Sequence, residues 1–431
     1  MATQFLELKD KGGMNPPRLL RIDERTVSLL GDGYAKELGL LPGTEWTLEQ
    51  TEQGVLWRRV DDNLLKLYVE ATNACNLNCR TCVRNVWEES PSMMSDETFA
   101  RVIEGLKALP SVQAVHFGGY GEPLVHPKIF DMLREVKSLG LRTEMITNGT
   151  LLSAEYCDRL VAADLDLLVV SIDGASETTY DGIRLGSDLD VLLKNLKNLA
   201  AARYRANKRT PDLGLSFVAM RDNLEDLLTL KRMASQLRAS FILVTNLLPH
   251  TEDMKEQILY STLIASTYPL RTGPNRRDPQ VIFPPLDRSQ QIMEVVRKLS
   301  IGRSNVQMPG VDPNRSRNYC RFVREGVAFV RWDGEISPCM PLLHSYPCYV
   351  LGRYKRIQSH SFGSLHQRSL PEIWDSQEYR DFRRRVRRFE FAPCIDCGGC
   401  ELSESNQENC FGDPAPVCGD CLWAQGIIQC P

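Results

Sequence analysis

The sequence predicts an α/β fold, a parallel sheet with helices outside it, and three observations carry the prediction. Six apolar, strand-like runs lie between residues 65 and 246: KLYVEAT, VQAVHFGG, RTEMITN, DLLVVSID, LGLSFVAM and SFILVTN. Amphipathic helical patterns separate them, so the chain reads as successive βα units. Such connections place the helices outside, in a partial barrel or in a doubly wound sheet. In either architecture chemistry belongs at the carboxyl ends of the strands.

The first helix shows Phe99, Val102, Ile103 and Leu106 at i, i+3, i+4 and i+7, with Ser95 as N-cap and Pro110 beyond its end. A later helix carries Leu189, Leu192, Leu193, Leu196 and Leu199 behind a Ser187 cap. Ahead of the βα array, residues 1–62 read as a small β-rich module: a strand, a short helix, then a hairpin in WTLEQ and VLWRR. Its phrase LGLLPGTEW resembles the small swapped-hairpin β-domain of some bacterial regulators. A structural or docking role is expected there rather than DNA binding, since the segment has no strong basic excess. Residues 250–319 are interrupted by prolines, hold one or two helices and bridge to the last region. In that region SLPEIWDSQEYRDFRRRVRRF reads as one helix, with the basic run Arg383 to Arg388 as a solvated face. The division expected is 1–62, 63–310 and 311–431.

Composition narrows the function. Apolar residues make up 42% of the 431 and charged residues 25%, which excludes a disordered or fibrous chain. Fifty-two basic against 55 acidic residues leave a net charge of −3, no field for gathering nucleic acid or anionic lipid. The N-terminus lacks a signal-peptide core, and no apolar run approaches the roughly 18 residues of a membrane span. A soluble cytoplasmic protein is expected, without a membrane or nucleic-acid partner.

Cysteine is the outlier. Of 14, three lie at 75–82, Cys157 stands alone, and ten fall between 320 and 430. Disulfides are improbable in a reducing compartment, where clustered thiols more often hold metal. The first strand runs into ATNACNLNCRTCVRN, with Cys75, Cys79 and Cys82 spaced C-x3-C-x2-C. A cubane 4Fe–4S cluster takes one thiolate per iron, so three ligands on one loop leave one iron open. An open coordination position is where a substrate or cosubstrate binds. By spacing alone, zinc or a four-cysteine cluster completed from elsewhere remains an alternative. Cys157 reads as a buried core thiol and Cys348 as a non-ligand; His116 and His126 read as core or loop residues.

These features together resemble the radical S-adenosylmethionine (SAM) family. After the second strand comes HFGGYGEPLVHP, where Gly118, Gly119, Gly121, Glu122 and Pro123 match the turn that holds the SAM amino group. TNGT (147–150) ends the third strand, and VVSIDGA ends the fourth, with Ser171 and Asp173 at positions beside the SAM ribose. Arg184, in YDGIRLG, matches a basic residue near the SAM carboxylate. The family places an aromatic residue before the third cysteine, where this chain has Thr81. The resemblance implies a partial (βα)6 barrel of the radical SAM type. It also implies reductive cleavage of SAM to methionine and a 5′-deoxyadenosyl radical, fed by a ferredoxin- or flavodoxin-type donor.

The C-terminal cysteines extend the resemblance. Cys320 and Cys339, spaced C-x13-G-x4-C through Gly334, match the opening of the SPASM domain, which holds auxiliary 4Fe–4S clusters. Cys394, Cys397, Cys400, Cys410, Cys418, Cys421 and Cys430 follow as C-x2-C-x2-C-x9-C-x7-C-x2-C-x8-C, a departure from the common C-x2-C-x5-C-x3-C. One or two auxiliary clusters are implied, with a zinc ribbon as the alternative. The tail from Ala392 to Pro431 resembles the radical SAM maturases associated with tungsten cofactor oxidoreductases, which implies a tungstoenzyme or its cofactor as substrate. A SPASM maturase acting on a peptide or protein side chain is the rival enzyme. A non-enzymatic iron–sulfur carrier or a zinc-dependent regulator is the rival of another class.

Overall fold

In the computed structural model the described residues are 18–21, 45–51, 54–59, 62–261, 270–271, 279–287, 289–300, 306–308, 318–397 and 400–430. The chain divides into two compact units, Met1–Asn63 and Leu64–Pro431. In the first, β1 (Arg18–Arg21), β2 (Glu45–Thr51) and β3 (Gly54–Arg59) form an antiparallel sheet, with β2 and β3 paired as a hairpin. The short helix expected between β1 and β2 lies outside the described residues.

The second unit contains the expected βα array. Its strands are β4 (Lys66–Val69), β5 (Ala114–Phe117), β6 (Arg142–Thr147), β7 (Leu167–Ser171), β8 (Asp212–Ala219) and β9 (Phe241–Asn246). They pair in sequence order, each parallel to the next. Helices α1 (Asp96–Ala108), α2 (Ile129–Ser138), α3 (Ala154–Ala162), α4 (Glu177–Ile183), α5 (Leu189–Arg205) and α6 (Asp226–Gln236) connect them. Strand alternation sorts the two faces. Leu67, Val69, Val115, Phe117, Met145, Leu168, Val170, Leu215 and Ile242 join the helices in the main core. Tyr68, His116 and Glu144, level with one another by register, line the opposite face.

Local chemistry sets the helix starts. Ser95 accepts from the Thr98 amide at 3.1 Å and caps α1, as its sequence predicts. The cap of α5 is Asp188 rather than Ser187. Asp188 is extended and its carboxylate accepts from the Val191 amide at 3.0 Å, while the Ser187 hydroxyl donates to Arg184 O. Cys157 is buried in α3, and both His116 and His126 are buried within the fold.

Beyond β9, β10 (Leu270–Arg271), β11 (Gln280–Ile282) and β12 (Val306–Met308) extend one edge of the sheet, and helix α7 (Gln290–Ser300) lies between β11 and β12. At the other edge β13 (Val327–Val330) pairs in parallel with β4, and β14 (Ile336–Ser337) pairs antiparallel with β13. The cysteine-rich region thus donates a strand to the barrel sheet. It continues through α8 (Arg321–Arg324), the hairpin β15 (Tyr346–Val350) and β16 (Arg353–Ile357), and helices α9 (Leu370–Trp374) and α10 (Gln377–Arg388).

Two expectations for that last stretch are corrected. The single helix is two, because Ser376 is extended and accepts from the Tyr379 amide to start α10 afresh. The basic run is not wholly solvated. Arg383 is 1% exposed, its guanidinium 3.9 Å from the Trp374 ring and 4.7 Å from that of Tyr379, and its Nη1 donates to Trp374 O at 2.8 Å. Among the described residues, no helix is long and apolar enough to cross a membrane.

Candidate active site

Strand β4 delivers the cysteine loop at its carboxyl end. Cys79 is buried, while Cys75 and Cys82 are partly exposed. Donors converge on the sulfurs. The Leu77 amide points at Cys75 Sγ from 3.4 Å and Asn148 Nδ2 from 3.7 Å; Arg184 Nη1 is 3.9 Å from Cys79 Sγ. Burial pushes the Cys79 thiol up to about 11, with Arg184 pulling the other way.

The GGYGEP turn closes over this loop. Glu122 N donates to Ala74 O at 2.8 Å, and a Cβ on Gly121 would stand 2.1 Å from Thr72 O. A Cβ on Gly119 would stand 2.7 Å from the Glu70 side chain. At both positions the missing side chain lets the turn pack directly against neighbouring protein atoms.

The acids of the motif are engaged by the protein itself. Glu122, 2% exposed, accepts from Leu124 N, Thr147 Oγ1 and Asn148 N at 3.1, 2.8 and 2.7 Å. Burial pushes its carboxyl up while those donors oppose the shift. It ties the turn after β5 to the end of β6. Asp173, fully buried, accepts from Arg184 Nε at 2.7 Å and from Val218 N at 2.8 Å. Burial opposes the Arg184 charge, but Asp173 and Cys79 more than restore it. Arg184 therefore bridges β7's loop to the cysteine loop. Ser171 ends β7 and is partly exposed.

Asn148 and Asn76 were not singled out by sequence. Asn148 donates to Asn76 Oδ1 at 2.9 Å as well as facing Cys75, and Asn76 donates to Thr150 Oγ1 at 2.8 Å. For Asn148 the signal is the TNGT motif, whose polar side chains orient the loop; Asn76 lies within the cysteine loop itself.

The C-terminal thiols fall into two sets. Cys320, Cys339, Cys418 and Cys421 are grouped in the interior. Burial raises all four thiols, and Cys339 has the other three as its leading charged neighbours. A cleft is lined by Cys339, Cys418 and Cys421 with Cys348, Tyr346 and Trp423. Tyr319 N donates to Ala424 O at 2.9 Å, which brings Cys320 to the same segment. The second set lies towards the surface: Cys394 has Cys410 and Cys400 as neighbours, and Cys397 turns back on Cys394. Cys397, Cys400 and Cys410 are exposed. A buried ion pair, Lys355 Nζ to both Asp420 oxygens at 2.8 Å, adjoins both sets. Cys430 adjoins the buried set: it packs in the same cluster as Cys320 and Cys339, accepts from Trp423 Nε1 at 3.2 Å and has its sulfur 3.5 Å from Met340 Sδ. Cys348 is buried in β15. Among the described residues no three His, Cys, Asp or Glu side chains converge as ligands of a single ion. In a cubane each thiolate takes a different iron.

Comparison with known proteins bears on this arrangement. The profile of the Radical SAM superfamily matches residues 69–233, and that of the SPASM iron–sulfur cluster-binding domain matches residues 320–401. The tungsten-containing aldehyde ferredoxin oxidoreductase cofactor-modifying protein of Pyrococcus furiosus is 32% identical over 369 residues, 85% of this chain and 96% of the relative. A mycofactocin maturase of Mycobacterium tuberculosis is 30% identical over 202 residues, 47% of this chain and 48% of its own. The crystal structure of Streptococcus suis SuiB bound to precursor peptide SuiA shares the fold, with a TM-score of 0.54, 16% identity, and coverage of 75% of this chain and 67% of that one. Membership in such a family carries 4Fe–4S clusters and SAM as cofactors. With both profiles on the thiol-bearing regions and a relative matched along nearly its whole length, the chain belongs to the radical SAM superfamily and carries its iron–sulfur SPASM domain.

Proposed function

We propose that the protein is a radical SAM maturase that modifies the cofactor of a tungsten-containing, aldehyde ferredoxin oxidoreductase-like enzyme. The observation that carries this reading is the likeness to the Pyrococcus furiosus cofactor-modifying protein over 85% of the chain. Cys75, Cys79 and Cys82 would hold the radical-generating cluster, since the sulfurs of Cys75 and Cys79 already face N–H donors of the kind that stabilise a thiolate. When bound, that cluster supplies one electron to the sulfonium of SAM, which releases methionine and a 5′-deoxyadenosyl radical.

The chain's own residues position and enclose. The turn through Gly118, Gly119 and Gly121 presents backbone groups to the SAM amino group. Glu122 fixes that turn against β6, and Ser171 marks the ribose side at the end of β7. The Asp173–Arg184 pair holds a guanidinium between the cysteine loop and the carboxylate end of SAM. We assign Cys320, Cys339, Cys418 and Cys421 to a buried auxiliary cluster and Cys394, Cys397, Cys400 and Cys410 to a surface one. Cys430 stands outside both. A ferredoxin- or flavodoxin-type donor and a cytoplasmic setting complete the reading.

Co-expression of the tungstoenzyme with and without this protein tests it. Activity and a changed cofactor mass are expected only with the protein present, and only when Cys79 is intact. Equal activity and identical cofactor mass in the two preparations overturn the proposal.

A further inference from the structure

One buried histidine joins three segments that are far apart in sequence. His344 lies between Cys339 and β15 and is fully buried. Its Nε2 is 2.8 Å from Glu70 Oε2, and its Nδ1 is 2.7 Å from Glu89 Oε2. Glu70 follows β4 and is also buried; its other oxygen accepts from Tyr120 N, inside the GGYGEP turn, at 3.1 Å. Glu89 belongs to the segment behind Cys82. The Trp87 ring packs on the imidazole at 4.4 Å and the Tyr120 ring at 5.7 Å. A carboxylate has no proton to give, so an imidazole set between two carboxylates serves both only when both nitrogens are protonated.

We infer that His344 is a positioning residue of the SAM site: as an imidazolium it clamps Glu70 and Glu89, and so holds the Gly119–Tyr120 turn and the cysteine-loop flank against the C-terminal region. This rests on the reading of that turn as the SAM cradle. The clamp explains why Glu70 is tolerated in the interior, since an unpaired buried carboxylate is costly. It also makes the SAM site depend on a residue outside the residues matched to the Radical SAM superfamily.

The charged and titratable groups around the imidazole are Glu70 and Glu89, with Arg331 and Asp333 beyond Glu89 and Tyr120 across its ring. Burial disfavours the imidazolium, but the bonds to Glu70 and Glu89 outweigh it and raise His344 to about 9. The folded pKa lies above the ordinary value of about 6.5. The clamp's contribution is therefore complete below about pH 6.5 and is lost as pH rises through about 9.

The test is SAM binding by anaerobically reconstituted full-length protein across pH 6 to 10. His344→Gln is expected to bind about tenfold more weakly at neutral pH, the effect of losing one charge-assisted hydrogen bond, and to lack the wild-type alkaline decline. Glu89→Gln, a milder change at a half-buried position, is expected to fold normally and to move that decline to lower pH. Wild-type affinity in His344→Gln, or an unmoved decline in Glu89→Gln, overturns the inference. Gly121→Ala separates the two readings. If it binds SAM as tightly as wild type, the cradle assignment itself is wrong. If it loses binding while both clamp variants behave as wild type, only the clamp is wrong.

Discussion

Glu122 and Asp173 show how a motif residue can match its family and still be employed by its own chain. Each carboxylate is buried and each accepts from a neighbouring strand's backbone, Asn148 N and Val218 N respectively. Glu122→Ala would leave three buried donors without an acceptor, each costing about 1–3 kcal/mol where no water replaces it. A lowered urea midpoint is expected together with weaker SAM binding. Unchanged stability with weakened binding would mean that the carboxylate serves the ligand alone. Arg383 teaches the same point from the other side. A run of arginines on an amphipathic helix reads as solvated, but the Trp374 and Tyr379 rings form a slot that accepts a flat cation.

At the level of elements, the tail sets the chemistry of the C-terminal region. Cys418 and Cys421 lie with Cys320 and Cys339, whereas Cys397, Cys400 and Cys410 are exposed, and at the turn of the β15–β16 hairpin Arg353 donates to Cys394 O and Cys397 O at 3.0 and 2.9 Å. The assignment made above has a direct readout. Wild-type protein should carry about 12 irons, four for each cubane. Cys410→Ser should lose about four of them and Cys430→Ser none. Loss of a cluster in Cys430→Ser, by iron analysis and by its spectroscopic signature, would make Cys430 a ligand, and its packing beside Cys320 and Cys339 would place it in the buried set. The irregular spacing concealed this division, because C-x2-C pairs do not say which neighbour completes them. Only the path of residues 401–420 brings Cys410 back towards Cys394 and carries Cys418 away from it.

Within the unit Leu64–Pro431, one sheet is shared by the regions matched to the two profiles. Strand β13 lies against β4, with Glu70 N continuing the ladder to Val330 O at 2.9 Å, and Phe329 stacks on Tyr68 at 4.4 Å. A chain ending at residue 310 would keep every residue matched to the radical SAM profile, but would bare the β4 edge and remove His344. Such an edge invites aggregation. The truncated chain is expected to be insoluble or to bind SAM poorly, as measured by soluble yield and titration; a soluble truncation with full affinity would show that the sheet extension is dispensable. The strands, the caps at Ser95, the C-x3-C-x2-C loop and the glycine turn were legible in the sequence because each depends on periodicity or on residues a few positions apart. What binds them into a site was not. Glu122 meets Asn148 26 residues away, Arg184 meets Cys79 at a separation of 105, and His344 meets Glu70 at a separation of 274. Residue order shows which thiols and glycines exist to build the chemistry and in which order the strands present them. Folding in three dimensions settles which backbone each carboxylate accepts from, which thiols are neighbours and which cation is buried, because hydrogen bonding and desolvation depend on neighbours that the linear chain does not bring together.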